Sequence, residues 1–202
     1  MTEKIYKLLK DSPAMRWTAL VLLASAMFFA YMFVDILSPL QAMLQETKGW
    51  DPAAYGTYQG SETFLNVFVF FLIFAGIILD KIGVRNTALL SGALMVIGAY
   101  LKYWAVSDGF TGGATDEYLK NFWNFFPLGF MIFGCGVEMA GITVSKGIVK
   151  WFKGKEMALA MGLEMAIARI GVAAAVLISP AIANMGGVKD VSRSVLFCVI
   201  LL

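Results

Sequence analysis

The chain has 202 residues, of which 59% are hydrophobic and 15% charged, with a formal net charge of +2. Soluble domains are typically about 45–50% apolar and about 25% charged, and one this small has too little interior to bury such a surplus. Lipid must therefore solvate much of the chain, which excludes a soluble enzyme, a nucleic-acid-binding module and a disordered linker. The chain contains no histidine, and its two cysteines, Cys135 and Cys198, lie in apolar runs. No metal, cofactor or nucleic acid is implied.

Residues 1–15 read as a cytoplasmic tail carrying Lys4, Lys7 and Lys10. Ala24-Ser25-Ala26 has the small-x-small pattern of a signal-peptide cleavage site, but the apolar stretch runs on from Trp17 to about Leu44. That is longer than the apolar core of about 7–15 residues in a cleaved signal, so the segment is expected to remain as a first membrane helix. Crossing the hydrocarbon core takes about 20 apolar residues. Segments at about 16–44, 57–79, 86–106, 122–145 and 156–184 meet that length. A sixth starts near Ser192, and as a helix its last 11 residues would rise only about 16 Å. The expected fold is an all-α membrane bundle over 16–202 with its sixth helix incomplete, and the chain reads as a fragment.

The connections alternate in charge. Asp51-Pro52 reads as a turn or a helix start. Asp80 to Arg85 is a tight basic turn, residues 107–120 form a longer loop with Gly112-Gly113, and Lys146 to Lys155 is basic again. The tail, Arg16 and these two basic turns hold ten of the 16 Lys and Arg residues. Basic loops stay inside, so the N-terminus is expected in the cytoplasm. Six spans then divide three plus three, with the two triplets related by inverted topology as in many secondary transporters.

Gly76-Ile77-Ile78-Leu79-Asp80-Lys81-Ile82-Gly83-Val84-Arg85 joins the second and third helices. It resembles the signature G-x-x-x-D-[RK]-x-G-[RK]-[RK] of the major facilitator superfamily. Gly76, Asp80, Lys81, Gly83 and Arg85 match, and Val84 departs from the pattern. The resemblance implies the N-terminal six-helix half of a twelve-helix transporter whose other half is missing here. It also implies that the aspartate caps a helix of that other half. A second stretch, Lys150-Trp151-Phe152-Lys153-Gly154-Lys155-Glu156, continues through Ala158, Ala160, Gly162 and Leu163 to Ala168-Arg169-Ile170-Gly171. It is similar to the branch that contains the lysosomal dipeptide uniporter and its bacterial relatives.

A charge inside the membrane costs at least about 2.5–3.5 kcal/mol at a helix centre. Arg169 falls near the middle of the fifth helix, and Glu138 lies in the fourth between Gly136 and Gly141. Either the two neutralise each other as an interhelical pair, or they face a water-filled cavity and hold opposite ends of a zwitterion. In the resembled branch a helix-four glutamate meets the peptide amino group and a helix-five arginine its carboxylate, which implies those roles for Glu138 and Arg169. Asp35 and Tyr31 of the first helix are further candidates to line the cavity. Glu62 is expected at the outer surface, Lys102 reaching outward to headgroups, and Glu164 away from the face of Arg169. Gly134, Gly141, Gly162 and Ala166 read as close-packing surfaces, and Phe122-Trp123-Phe125-Phe126 as an interfacial belt.

The expected function is movement of small solutes by alternating access, with dipeptides or similar zwitterions as substrate. A small-anion transporter for carboxylate or nitrate is the alternative within transport. A non-transporting six-helix binding or scaffold module is the alternative outside it. The expected partners are the lipid bilayer, the small-molecule substrate and the missing half. The short tail, with no N-x-[ST] acceptor in the chain, fits a bacterial inner membrane.

Overall fold

The structure, a computed structural model, describes residues 12–107, 119, 124–154 and 156–202. The tail through residue 11, most of the loop after Ser107 with Gly112, Gly113 and Lys120, the pair Phe122 and Trp123, and Lys155 lie outside the described residues. Every regular element among the described residues is helical. Four stretches, Pro13–Lys48, Phe71–Val106, Phe125–Phe152 and Met157–Ala183, are long and apolar enough to cross a membrane.

The first stretch is not one helix. α1 (Pro13–Asp35) stops and is followed by a 3-10 turn, Ser38–Leu40, and then α2 (Gln41–Lys48). Pro39 is the cause. It has no N–H to give the Asp35 carbonyl, its ring crowds that carbonyl, and it disfavours the helical region at Ser38. Gly49, at φ 73°, ends α2 and turns Trp50 into the core.

α3 (Pro52–Phe68) starts as a capped helix: the Asp51 carboxylate accepts from the Ala54 N–H at 2.6 Å, and proline occupies the first turn. The expected second span is broken at Val69–Phe70, where Phe70 adopts a left-handed conformation with φ 54°. The chain resumes as α4 (Phe71–Val106), which Gly83 (φ 79°, ψ 167°) divides into 71–82 and 84–106.

α5 (Phe125–Phe152), α6 (Met157–Ala183) and α7 (Val191–Leu201) complete the bundle. Side-chain levels along α5 fix the chain directions. Glu62 packs on Gly134 while Asp80 pairs with Lys146, so α3 and the start of α4 run parallel to α5. Met95 and Ser91 meet Gly136, and Leu101 meets Gly129, so the rest of α4 runs antiparallel. The chain thus reverses at Gly83. α1 opposes α5, from Trp17 beside Phe152 to Phe33 beside Phe133. The leading helices of the two triplets are antiparallel, as an inverted repeat requires.

α5 is the central helix, and its aromatic side chains build much of the core. Trp50, Tyr58, Phe130 and Phe133 stand in succession with ring centroids 5.3–5.8 Å apart, and Phe33 closes on Phe133 at 4.7 Å. Phe126 is fully buried within this core rather than interfacial, whereas Phe125 is exposed. The small residues divide similarly. Gly134 lies against the Glu62 carbonyl and Gly171 against the Phe28 carbonyl, contacts that any Cβ would block. Gly141 has only ordinary contact with Met27, and Gly162 and Ala166 are exposed, with open space around Gly162. The expected close-packing surface therefore holds for Gly134 and not for Gly162.

Candidate functional site

α1, α5 and α6 enclose a cleft of about 130 Å3, lined by Met27, Tyr31, Gly141, Ser145, Glu164, Met165, Ala168 and Arg169. Helical spacing explains the set. Met27 and Tyr31 are one turn apart on α1, Gly141 and Ser145 one turn apart on α5, and Glu164 and Ala168 one turn apart on α6. Gly171 lets α6 touch the α1 backbone at Phe28, which brings Arg169, two residues earlier, beside Tyr31. The Arg169 guanidinium carbon stands 5.4 Å from the Tyr31 ring centroid, within cation–π range. Arg169 is nevertheless solvent-accessible at the middle of the 27-residue α6.

Glu138 lies on α5 one turn before Gly141 and is half-buried. It forms no ion pair with Arg169; the ion pairs among the described residues are Asp80–Lys146, Glu46–Lys189 and Asp190–Arg193. Tyr31 therefore stands beside the Arg169 guanidinium, with the Glu164 carboxylate in the same cleft. An arginine holds a carboxylate bidentately, and nearby carboxylates accept from an ammonium, so this arrangement can hold a small molecule bearing both charges.

Asp35 is not part of the cleft lining. It accepts from Ser38 Oγ at 3.1 Å, and Ser38 in turn accepts from the Tyr55 hydroxyl at 3.5 Å, so it belongs to the break at the end of α1. Glu164 was expected away from Arg169 but shares its cleft. Residues five apart lie on different faces of a helix, yet both reach a hollow framed by two neighbouring helices. Lys102 does not reach outward: it is fully buried, and its Nζ donates to the carbonyls of Phe33 and Val34. Sequence marked Lys102 as a lone charge in an apolar helix without indicating its partners.

The turn residues behave differently from one another. Gly83 supplies the reversal, while a Cβ on Gly76 would meet nothing within 4 Å. Asp80 is exposed and holds Lys146 of α5 at 2.6 Å, and Lys81 and Arg85 are exposed around it. An exposed pair contributes roughly 0–1 kcal/mol, so Asp80 remains available to a stronger partner.

A profile of the Major Facilitator Superfamily matches residues 23–202. The chain is similar to proteins named lysosomal dipeptide transporter MFSD1. It is 27% identical to that of Danio rerio over 145 residues, which cover 71% of this chain and 28% of the relative. It is 28% identical to that of Mus musculus over 159 residues, covering 78% of this chain and 31% of the relative. Over a shorter stretch of 58 residues, 29% of this chain and 13% of the relative, identity to the Gallus gallus protein is 44%. The chain therefore spans less than a third of the length of these relatives. No solved structure matches it.

Proposed function

The chain belongs to the major facilitator superfamily, a family of transporters rather than enzymes, and from that premise we propose that it carries dipeptides or similar small zwitterions by alternating access. Arg169 takes the substrate carboxylate. Glu138 takes the amino group, and Tyr31 and Glu164 line the space between. Asp35, one turn beyond Tyr31, stands outside the cleft lining and acts through the break after α1, where it holds Ser38. In this reading the chain is the N-terminal half of the transporter, its cleft facing a second six-helix half, and rocking of the halves exposes the substrate to each side in turn. The basic tail and turns support a cytoplasmic N-terminus, and the membrane is a bacterial inner membrane, although the relatives named above are lysosomal.

One observation carries this reading. Arg169 stands over the Tyr31 ring, and the half-buried Glu138 of the neighbouring α5 forms no ion pair with it. An anion carrier is less well matched, because the carboxylate of Glu164 lines the cleft beside Arg169 and would repel a second anion.

The test uses the full-length protein in detergent, with thermal stability followed against dipeptides, free amino acids, monocarboxylates and nitrate. A ligand that binds the folded state raises the melting temperature with concentration. Dipeptides are expected to stabilise the wild type, and Glu138→Gln and Arg169→Ala to fold but lose the response. Stabilisation by anions alone, lost only with Arg169→Ala, would replace the zwitterion with an anion. No response to any solute, with both variants less stable, would identify the two charges as structural.

A further inference from the structure

We propose that Lys102 is a positioning residue for the substrate cleft, pinning the end of α1 so that Tyr31 is held against Arg169. This role rests on the cleft being a substrate site.

The need for a pin arises in the sequence. Pro39 ends α1 at Asp35, so the last carbonyls of that helix lose their intrahelical donors inside the bundle. No water is available in a bilayer core to replace them. Lys102 Nζ donates to the Phe33 carbonyl at 3.0 Å and to the Val34 carbonyl at 3.1 Å. The Gln59 amide adds a second donor to Val34 at 3.1 Å, and Ser179 Oγ donates to the Ile36 carbonyl at 2.7 Å. Side chains from α4, α3 and α6 thus converge on one turn of α1.

Lys102 contributes most to this convergence. A cation is favoured at a helix C-terminus by the dipole, and a buried ammonium persists only when its donors are used. It also lies 4.1 Å from the Phe130 ring centroid and 4.8 Å from that of Phe33. The charges of Glu62 and Asp35 act on it without forming an ion pair. Its direct partners are therefore carbonyls and ring faces. Tyr31 lies two residues before Phe33 on the same helical turn, so the pin sets the height and rotation of its ring beneath Arg169.

The experiment measures dialanine affinity of the full-length protein in nanodiscs for wild type, Lys102→Met, Lys102→Gln, Lys102→Arg, Tyr31→Leu and the double variant Lys102→Met/Tyr31→Leu. A cation–π contact at a solvent-accessible site is worth about two- to fivefold in binding, so Lys102→Met is expected to weaken dialanine up to about fivefold. Lys102→Arg, which keeps charge and donors, should stay within about threefold. In the Tyr31→Leu background Lys102→Met should add less than about twofold, because coupled residues do not add. In the absence of ligand, amide exchange over residues 35–41 should quicken in Lys102→Met and not in Lys102→Arg. If Lys102→Met fails to fold, Lys102→Gln, which keeps an amide donor, takes its place in every comparison.

Additive losses in the double variant, or full affinity in Lys102→Met, would overturn the positioning role. Unchanged exchange in Lys102→Met would overturn the pin itself. A wild type that dialanine does not stabilise would overturn the transport reading and the positioning role together, with the exchange result still separating the pin from both.

Discussion

A Cβ added at Gly134 would land on the main-chain carbonyl of Glu62, whereas one added at Gly162 would meet nothing within 4 Å. The two glycines look alike in sequence, each in an apolar helix. Backbone cannot move aside as a flexible side chain can, so Gly134→Ala is expected to force α3 away from α5, at roughly the 1–3 kcal/mol typical of overpacking. Gly162→Ala should gain slightly from the higher helix propensity of alanine. Melting of both full-length variants in detergent checks the contrast. A large loss at Gly162 would mean that part of the protein beyond this chain packs on that face of α6. The same logic governs Arg169, which lies in the middle of a largely exposed helix and stands, among the described residues, over the Tyr31 ring. In the proposed function this open charge is the group that takes the substrate carboxylate.

At the scale of elements, the turn between 71–82 and 84–106 depends on a single residue. Gly83 has φ 79° with ψ 167°, a conformation that any Cβ strains. Gly83→Ala should therefore lower stability by about 1–2 kcal/mol, read as a lower melting temperature of the full-length protein. Gly76→Ala meets no contact within this chain. An equal loss at both positions would show that the motif's glycines serve packing rather than the turn. This turn was legible in the sequence, because glycine between a short charged pair and a basic residue marks a reversal. The end of α1 was half legible: Pro39 stood in view, but the apolar residues on either side suggested one long span. The break at Val69–Phe70 was not legible. No glycine or proline marks it, and Phe70 takes a left-handed conformation because the tertiary fold holds it there. Lys102 and Glu164 were misplaced for a related reason. Their partners are a broken helix end and a hollow between helices, and neither exists until the helices pack. Glu138 and Arg169 could be singled out as candidates because charge in an apolar helix needs no tertiary information to stand out.

The whole molecule is a bundle around α5 with one end rich in cations. Asp80, Lys81, Arg85, Lys146 and Lys150 cluster where α4 reverses and α5 ends, and Arg16 enters α1 at the same level, over Phe152. At the opposite end, Glu46 of α2 holds Lys189 at 2.7 Å, and Asp190 caps α7 through the Ser192 N–H at 2.9 Å. The fold fixes which residues share an end, and the proposed orientation, resting on the positive-inside tendency, puts the basic end in the cytoplasm. Cysteine labelling tests this directly, since both cysteines of this chain are buried and wild-type protein labelled in parallel gives the background. In intact bacterial cells, a membrane-impermeant maleimide should label Glu46→Cys, while Lys81→Cys should react only after permeabilisation. The reverse pattern would invert the protein and place the cytoplasm at the Glu46 end. Equal labelling of both in intact cells would mean that the two ends do not lie on opposite sides of the membrane. Either result would bear on the transport reading, because alternating access requires Arg169, in the middle of α6, to lie between two ends that face different compartments.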